Sequence, residues 1–286
     1  MMFSWLPENL KRKAKSDWKS LRIAFSRKSR GFCRKDLVET LRHLGIEQGD
    51  TLLVHSSLDQ FTAFLGKPMD IILALQEAVG PTGTLLMPTL PFRGSAVEYA
   101  REPRVFDVRR TPSQMGLLTE LFRRTSGVIR STHPTHAVAA CGMRASEMVD
   151  AHHAATTPCG RQTPYGRLLD RNGKILFLGT DISVMTFFHT VEEILEPRMP
   201  FSPFTKEVFV LESCDAQNQS VTTHTRLFDP QHSRRRNLSK LIPALKQKGW
   251  WRDAKLGGMK AILLRADHVL AVSSELAERG IYCYGE

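Results

Sequence analysis

The sequence predicts an α/β fold, a single domain in which a mixed central sheet is flanked by helices. Three observations predict it. Apolar runs of strand length alternate with helix-period stripes from residue 36 onward. No internal repeat or low-complexity linker interrupts that alternation. The 286 residues, 42% of them hydrophobic, are enough to bury one large core, which excludes a wholly disordered chain.

Lys35-Asp36 opens a short helix with Leu37, Leu41 and Leu44 as its stripe, and Gly45 ends it. Thr51 to Val54 reads as a buried strand running into His55-Ser-Ser57. Pro68 starts a helix whose Ile72, Leu75 and Val79 face inward. Gly83 to Met87 is the next strand, followed by a long Pro- and Gly-rich loop from Pro88 to Pro112. A helix is expected over Pro112 to Arg124, with Met115, Leu118, Leu121 and Phe122 inside. Ala137 to Ala140 and Lys174 to Gly179 read as buried strands, and Thr186 to Glu196 as a helix capped by Thr186. Strands over Lys206 to Leu211 and Met259 to Leu264 and a helix over Asp267 to Arg279 complete the pattern.

The formal net charge of +11 is local. Eleven of the 40 basic residues and two of the 29 acidic ones lie in residues 1–35, so the remaining chain is near +2. That division predicts a basic extension over 1–35 and one domain over 36–286. Leu10, Ala14, Trp18, Leu21 and Phe25 recur at helical spacing within the extension. Its readings are a helix packed on its own domain or on a second subunit in a homodimer, or a helix lying on an anionic membrane with Trp5 and Trp18 as anchors. Nucleic-acid contact is not expected of a body so nearly neutral. No apolar stretch reaches the ~18 residues of a membrane span. Five scattered cysteines without a C-x-x-C pair point to a reducing compartment, and so to the cytoplasm.

Three segments are placed for chemistry. In Gly179 to Glu193, a strand ends, a loop follows and a helix begins. His189 lies three residues before Glu192 and four before Glu193, so a carboxylate can share the imidazole's helix face. A base beside an orienting group results, and a helix start favours the neutral imidazole. A plain capped helix surface is the other reading of that spacing. His55, Ser56 and Ser57 end a strand, and Thr111-Pro112-Ser113-Gln-Met115-Gly116 enters a helix; both offer hydroxyls and N–H groups to a phosphate. His133 and His136, with Cys141, His152, His153 and Cys159 nearby, raise a metal site, but no spacing matches a zinc motif. P-loop, dinucleotide and nucleophile-elbow motifs do not occur.

Taken in order, these segments resemble the antibiotic N-acetyltransferase family, named for the aminoglycoside 3-N-acetyltransferases. The resemblance rests on Val54-His-Ser-Ser-Leu58, Gly83-Thr-Leu-Leu-Met-Pro-Thr89, Thr111-Pro-Ser-x-Met-Gly116 with Glu120-Leu-Phe-Arg123, Arg130-Ser-x-His-Pro-Thr-His136 with Val138-Ala-Ala140, Pro164-Tyr-Gly166 and Thr186-x-x-His189-x-x-Glu192. Ala137, Thr163 and Arg167 depart from its usual Ser, Ser and Lys. The resemblance implies the family's fold and a metal-free transfer from acetyl-CoA or another acyl-CoA to a small-molecule amine, by direct attack on the thioester. It implies His189 as general base with Glu192 as its partner, and coenzyme-A contacts at His55 to Ser57 and Thr111 to Gly116. Thr186 is a candidate donor to the developing oxyanion.

Aminoglycosides are polycations and suit an acidic cleft. This body offers only Glu192, Glu193 and Glu196 as an acidic cluster. The expected acceptor is therefore an amino sugar, such as those that relatives acylate on nucleotides, with aminoglycoside resistance as the alternative. A non-catalytic binding module and a metal-dependent hydrolase using His133, His136 and Cys141 are the rivals from other classes.

Overall fold

The computed structural model describes residues 8–285. Its centre is a seven-stranded mixed sheet formed by β1 (Thr51–Ser56), β2 (Thr84–Pro88), β4 (Ile129–Arg130), β5 (Val138–Gly142), β6 (Lys174–Leu178), β9 (Arg252–Leu256) and β10 (Met259–Arg265). The strand order is β4-β5-β2-β1-β6-β10-β9. β1 runs parallel to both β2 and β6, while β5 and β10 lie antiparallel on either side. The three parallel strands therefore open toward one edge, where the loops after Ser56, Pro88 and Leu178 gather.

The two faces follow from the strand period of two. Leu53, Ile175, Phe177 and Ile262 face one core with Phe188, Val191 and Leu195 of helix Phe188–Leu195 and Val269 and Val272 of helix Ala266–Glu278. Leu52, Val54, Leu176 and Leu178 face the other, against helices Arg34–Leu44 and Pro68–Val79. Gly45 closes the first of those helices at φ 100°, a left-handed turn that glycine takes without strain. A second sheet of three strands, β3 (Val105–Asp107), β7 (Phe204–Cys214) and β8 (Ser220–Phe228), stands beside the first.

Several expectations need correction. The stretch from Pro88 to Pro112 is not all loop: it holds helix Ala96–Arg101, capped by Ser95, and strand β3. The helix expected from Pro112 begins only at Leu117, because Gly116 before it sits at φ 111° and breaks the helical path. Met115 thus lies outside that helix. The strand expected from Ala137 begins at Val138. Thr186 does not cap the following helix; Phe187 holds that position and no side chain caps it. Strands β8 and β9 and helices Pro230–Arg234 and Ile242–Gln247 lay outside the sequence reading.

The basic extension forms helix Glu8–Arg30. Of its expected apolar stripe, Leu10, Trp18 and Phe25 are exposed, Phe25 by 72%. Trp5 lies outside the described residues, and the Leu21 side chain is not among those described. Phe32, just past the helix, is buried and bridges to Phe64. No helix among the described residues is long and apolar enough to cross a membrane.

Candidate active site

His189 is the second residue of helix Phe188–Leu195, at the open edge of the sheet. The helix exists there because Phe188, Val191 and Leu195 form a buried stripe at helical spacing. Gly179, at φ 66°, turns the chain out of β6; a side chain there would meet the Gln60 side chain and the Ser57 carbonyl. That close approach holds the ends of β1 and β6 together.

The His189 Nδ1 lies 2.8 Å from Glu192 Oε2. Glu193, the other spacing-compatible carboxylate, is turned away and accepts from the Thr157 hydroxyl at 2.6 Å. Glu192 is 1% exposed, which a lone carboxylate does not tolerate. Arg236 supplies the compensation, donating through Nε at 2.8 Å and through Nη2 at 3.1 Å. The Tyr284 hydroxyl donates to Oε1 of the same carboxylate. Arg236 Nη2 also passes 3.4 Å from His189 Nδ1. The ionised Glu192 carboxylate is the nearer group and accepts, so Nδ1 carries its proton toward Glu192 and Nε2 is left as the basic lone pair.

The electrostatics follow from burial and Arg236. Burial opposes ionisation of Glu192, but the Arg236 charge and the His189 hydrogen bond outweigh it and hold the carboxyl at about 2. Burial, aided by Arg236, pushes His189 below 6.5, and Glu192 offsets part of that. The imidazole is therefore neutral at pH 7 beside a permanent carboxylate.

The His189 ring packs at a 31° tilt against Phe228, at the end of β8, with centroids 3.9 Å apart. It also meets the His136 ring perpendicularly at 5.8 Å. These side chains line a cavity of about 420 Å³ whose other walls come from residues 90–98 and 230–236. Glu98, Arg234 and Arg236 are the carboxylate and guanidinium groups on its wall. Arg130, buried over the Phe106 ring, donates to Thr89 and to the Thr111 carbonyl and so ties the 89–90 wall to the 108–111 turn.

His55, Ser56 and Ser57 sit at the end of β1, with Ser56 paired to Leu178 and the Ser57 N–H bound to the Leu178 carbonyl. His55 is buried against Phe177, and its Nε2 has no protein partner. Thr111, Ser113 and Met115 differ from the expected free anion cradle: their N–H groups bond Asp107, Glu120 and the Ser113 hydroxyl. Gln114 binds the Leu90 carbonyl, which brings this segment to the cavity wall. Pro112 and Gly116 flank it, exposed. None of His55 to Ser57, Thr111 to Gly116 or Thr186 lines the cavity itself.

The His133 ring lies 4.5 Å from that of His152 and 6.2 Å from that of His136, but the cysteines do not join them. Cys141 packs in the core opposite to Cys159 and meets Gln76. His152 is bound by Ser131 and the Pro158 carbonyl. No group of three or more His, Cys, Asp or Glu able to hold a metal occurs among the described residues. Arg236, Tyr284 and Phe228 escaped the sequence reading. The one available signal was the run Arg234-Arg235-Arg236, which reads as a solvated patch until the fold half-buries its last member against Glu192.

Residues 53–278 match the family model described as aminoglycoside 3-N-acetyltransferase. An aminoglycoside N(3)-acetyltransferase IX of Micromonospora chalcea is 30% identical over 178 residues, 58% of this chain and 63% of that one. The match thus spans less than two thirds of that relative's length. Among solved structures, aminoglycoside acetyltransferase AAC(3)-Xa superposes with a TM-score of 0.80 at 24% identity, covering 94% of this chain and 99% of that one. The AAC-IIIb binary complex with CoASH gives 0.72 at 22%, covering 89% and 99%. These two likenesses establish the fold.

Proposed function

Because the chain belongs to the aminoglycoside 3-N-acetyltransferase family, we propose that it transfers an acyl group, acetyl by default, from acyl-CoA to a primary amine of an amino sugar. The catalytic domain in this reading is residues 36–286. The array of half-buried His189 and Arg236 on the cavity wall, joined by the buried Glu192, carries the proposal.

The acceptor enters as an ammonium, and its nitrogen must lose a proton to become nucleophilic. His189 Nε2 takes that proton as general base. Glu192 fixes the tautomer and stabilises the imidazolium, while Arg236 and the Tyr284 hydroxyl keep the carboxylate ionised and in place. The amine adds to the thioester carbonyl, and the tetrahedral centre collapses with loss of the thiolate, to which His189 returns the proton. His55, Ser56 and Ser57 hold the coenzyme in this reading, and the Thr111 to Gly116 segment, whose N–H groups at Thr111, Ser113, Gln114 and Met115 are already bonded within the fold, offers it a shaped wall rather than an anion cradle. Thr186, whose carbonyl accepts the His189 N–H, is assigned to positioning the base.

The acceptor is read from the wall charges. Arg236 is neutralised by Glu192, so Glu98 and Arg234 are left in near balance. A cavity so balanced suits an amino sugar of low positive charge, including one carried on a phosphate that Arg234 can meet. An aminoglycoside is the second reading, favoured by the relatives' names. The enzyme works in the cytoplasm in this account. The exposed Trp18 and Phe25 on a basic helix suit contact with an anionic membrane surface, and equally with a second copy.

The test is thiol release from acetyl-CoA, with gentamicin and with nucleotide-linked amino sugars as acceptors and His189→Ala as control. Release lost in the variant is expected. Release that survives it removes His189 as the base, and the preferred acceptor separates the two readings.

A further inference from the structure

His136 shares the cavity with His189 but belongs to a different network. It precedes β5 and is 3% exposed, and its ring meets Phe92 and Phe228 edge-on as well as His189. The Thr135 hydroxyl lies 2.9 Å from its Nδ1. That hydroxyl has one proton to give. Its other ring neighbour, His133 Nδ1, is 3.4 Å away and already accepts the backbone N–H groups of Thr135 and His136. Thr135 therefore donates to His136 Nδ1, which places the ring proton on Nε2. Burial keeps this imidazole neutral, as do the positive fields of its neighbours. The result is a neutral N–H donor on a cavity wall, perpendicular to the base.

We propose that His136 Nε2–H is the donor that receives the negative charge on the acyl carbonyl oxygen when the amine adds, a catalytic role that rests on the acyl-transfer reading above. The nitrogen–carbon bond forms as the carbonyl π pair moves to oxygen. That oxygen accepts the hydrogen bond from Nε2 while His189 takes the amine proton. The pair returns as the carbon–sulfur bond breaks, and the proton leaves His189 for the thiolate. A neutral donor suits this task because it gives a hydrogen bond without surrendering its proton.

Two measurements test it on the full chain. In kinetics, His136→Phe lowers kcat by about 10²–10³ with KM for acetyl-CoA and acceptor within about threefold, and His136→Gln, which keeps an N–H donor, recovers at least about tenfold of the loss. A His136→Phe kcat within about threefold of wild type overturns the proposal, as does a Gln variant no better than Phe. If His136→Phe does not fold, His136→Leu decides by the same kinetics; an unchanged kcat then refutes the role. Nitrogen-15 spectra of the wild-type chain read the tautomer directly, and an Nδ1–H form refutes it. If wild type releases no thiol with any acceptor, the acyl-transfer reading fails, and the oxyanion role with it, while the tautomer is still decided by the spectra.

Discussion

Glu192→Gln isolates what the buried carboxylate does. The change keeps shape but removes the charge between His189 and Arg236. Glutamine has one acceptor oxygen for the donors that Glu192 now serves, and its NH2 group must face either His189 Nδ1–H or Arg236. Two costs follow. A charge-assisted hydrogen bond to the imidazolium, worth about 1.5–3 kcal/mol, is lost when the base is protonated in the transition state. The Coulomb attraction it carries is up to about 4 kcal/mol at 4 Å in a medium of effective dielectric 20. The two figures describe one interaction and are not summed; a loss of about 3–4 kcal/mol lowers kcat by about 10²–10³, with acyl-CoA affinity unchanged. Arg236, 16% exposed at its side chain, is also left without its counter-ion, which costs about 3–5 kcal/mol of stability. At about 2–4 °C per kcal/mol for a chain of this size, the melting temperature falls by roughly 6–20 °C. The assay is steady-state thiol release beside a thermal melt, both at pH 7.5. A variant that melts lower but retains kcat within about threefold refutes the idea that Glu192 serves the base; the carboxylate then serves only the fold.

The pH profile gives a second expectation. Glu192 titrates near 2, so the acid limb of kcat/KM belongs to His189 and its midpoint falls below 6.5; a midpoint above 7 contradicts the burial argument. For stability the signs differ by group. The lowered Glu192 contributes stability above its unfolded value of 4.5, lost as pH falls toward 2, and the lowered His189 costs stability as pH falls below 6.5. Ser56→Ala with Ser57→Ala raises KM for acyl-CoA severalfold without changing kcat, and an unchanged KM moves the coenzyme contact elsewhere. Deleting residues 1–30 leaves soluble turnover intact and reduces co-sedimentation with vesicles rich in phosphatidylserine; equal sedimentation before and after dismisses the membrane role.

The legible parts of this chain were the locally encoded ones. Leu37, Leu41 and Leu44 announce their helix because their period matches it, and Ile175 to Leu178 announce a buried strand by apolarity alone. His189 and Glu192 were visible because three residues on a helix is also a distance in space. Arg236 and Tyr284 were not, since they reach Glu192 from 44 and 92 residues away and leave no local pattern. Strand β8 was missed for another reason. Its inward residues include Thr223 and Thr225, so its alternation is real but carries little apolar contrast. The start of helix Leu117–Arg123 was set too early because Pro112 resembles a first-turn proline, whereas the backbone of Gly116 decides.

The proton-handling groups and the acceptor walls come from different kinds of structure. His189, Glu192 and Arg236 are packed and cross-bonded beneath the cavity, while Glu98 and Arg234 stand on segments that run over its rim. Selection can therefore act on the two separately. In the proposed reading, substitutions along 92–98 and 230–234 retune which amine is accepted without disturbing the half-buried His189, so descendants of one ancestor can diverge in the compounds they modify while inheriting the same chemistry.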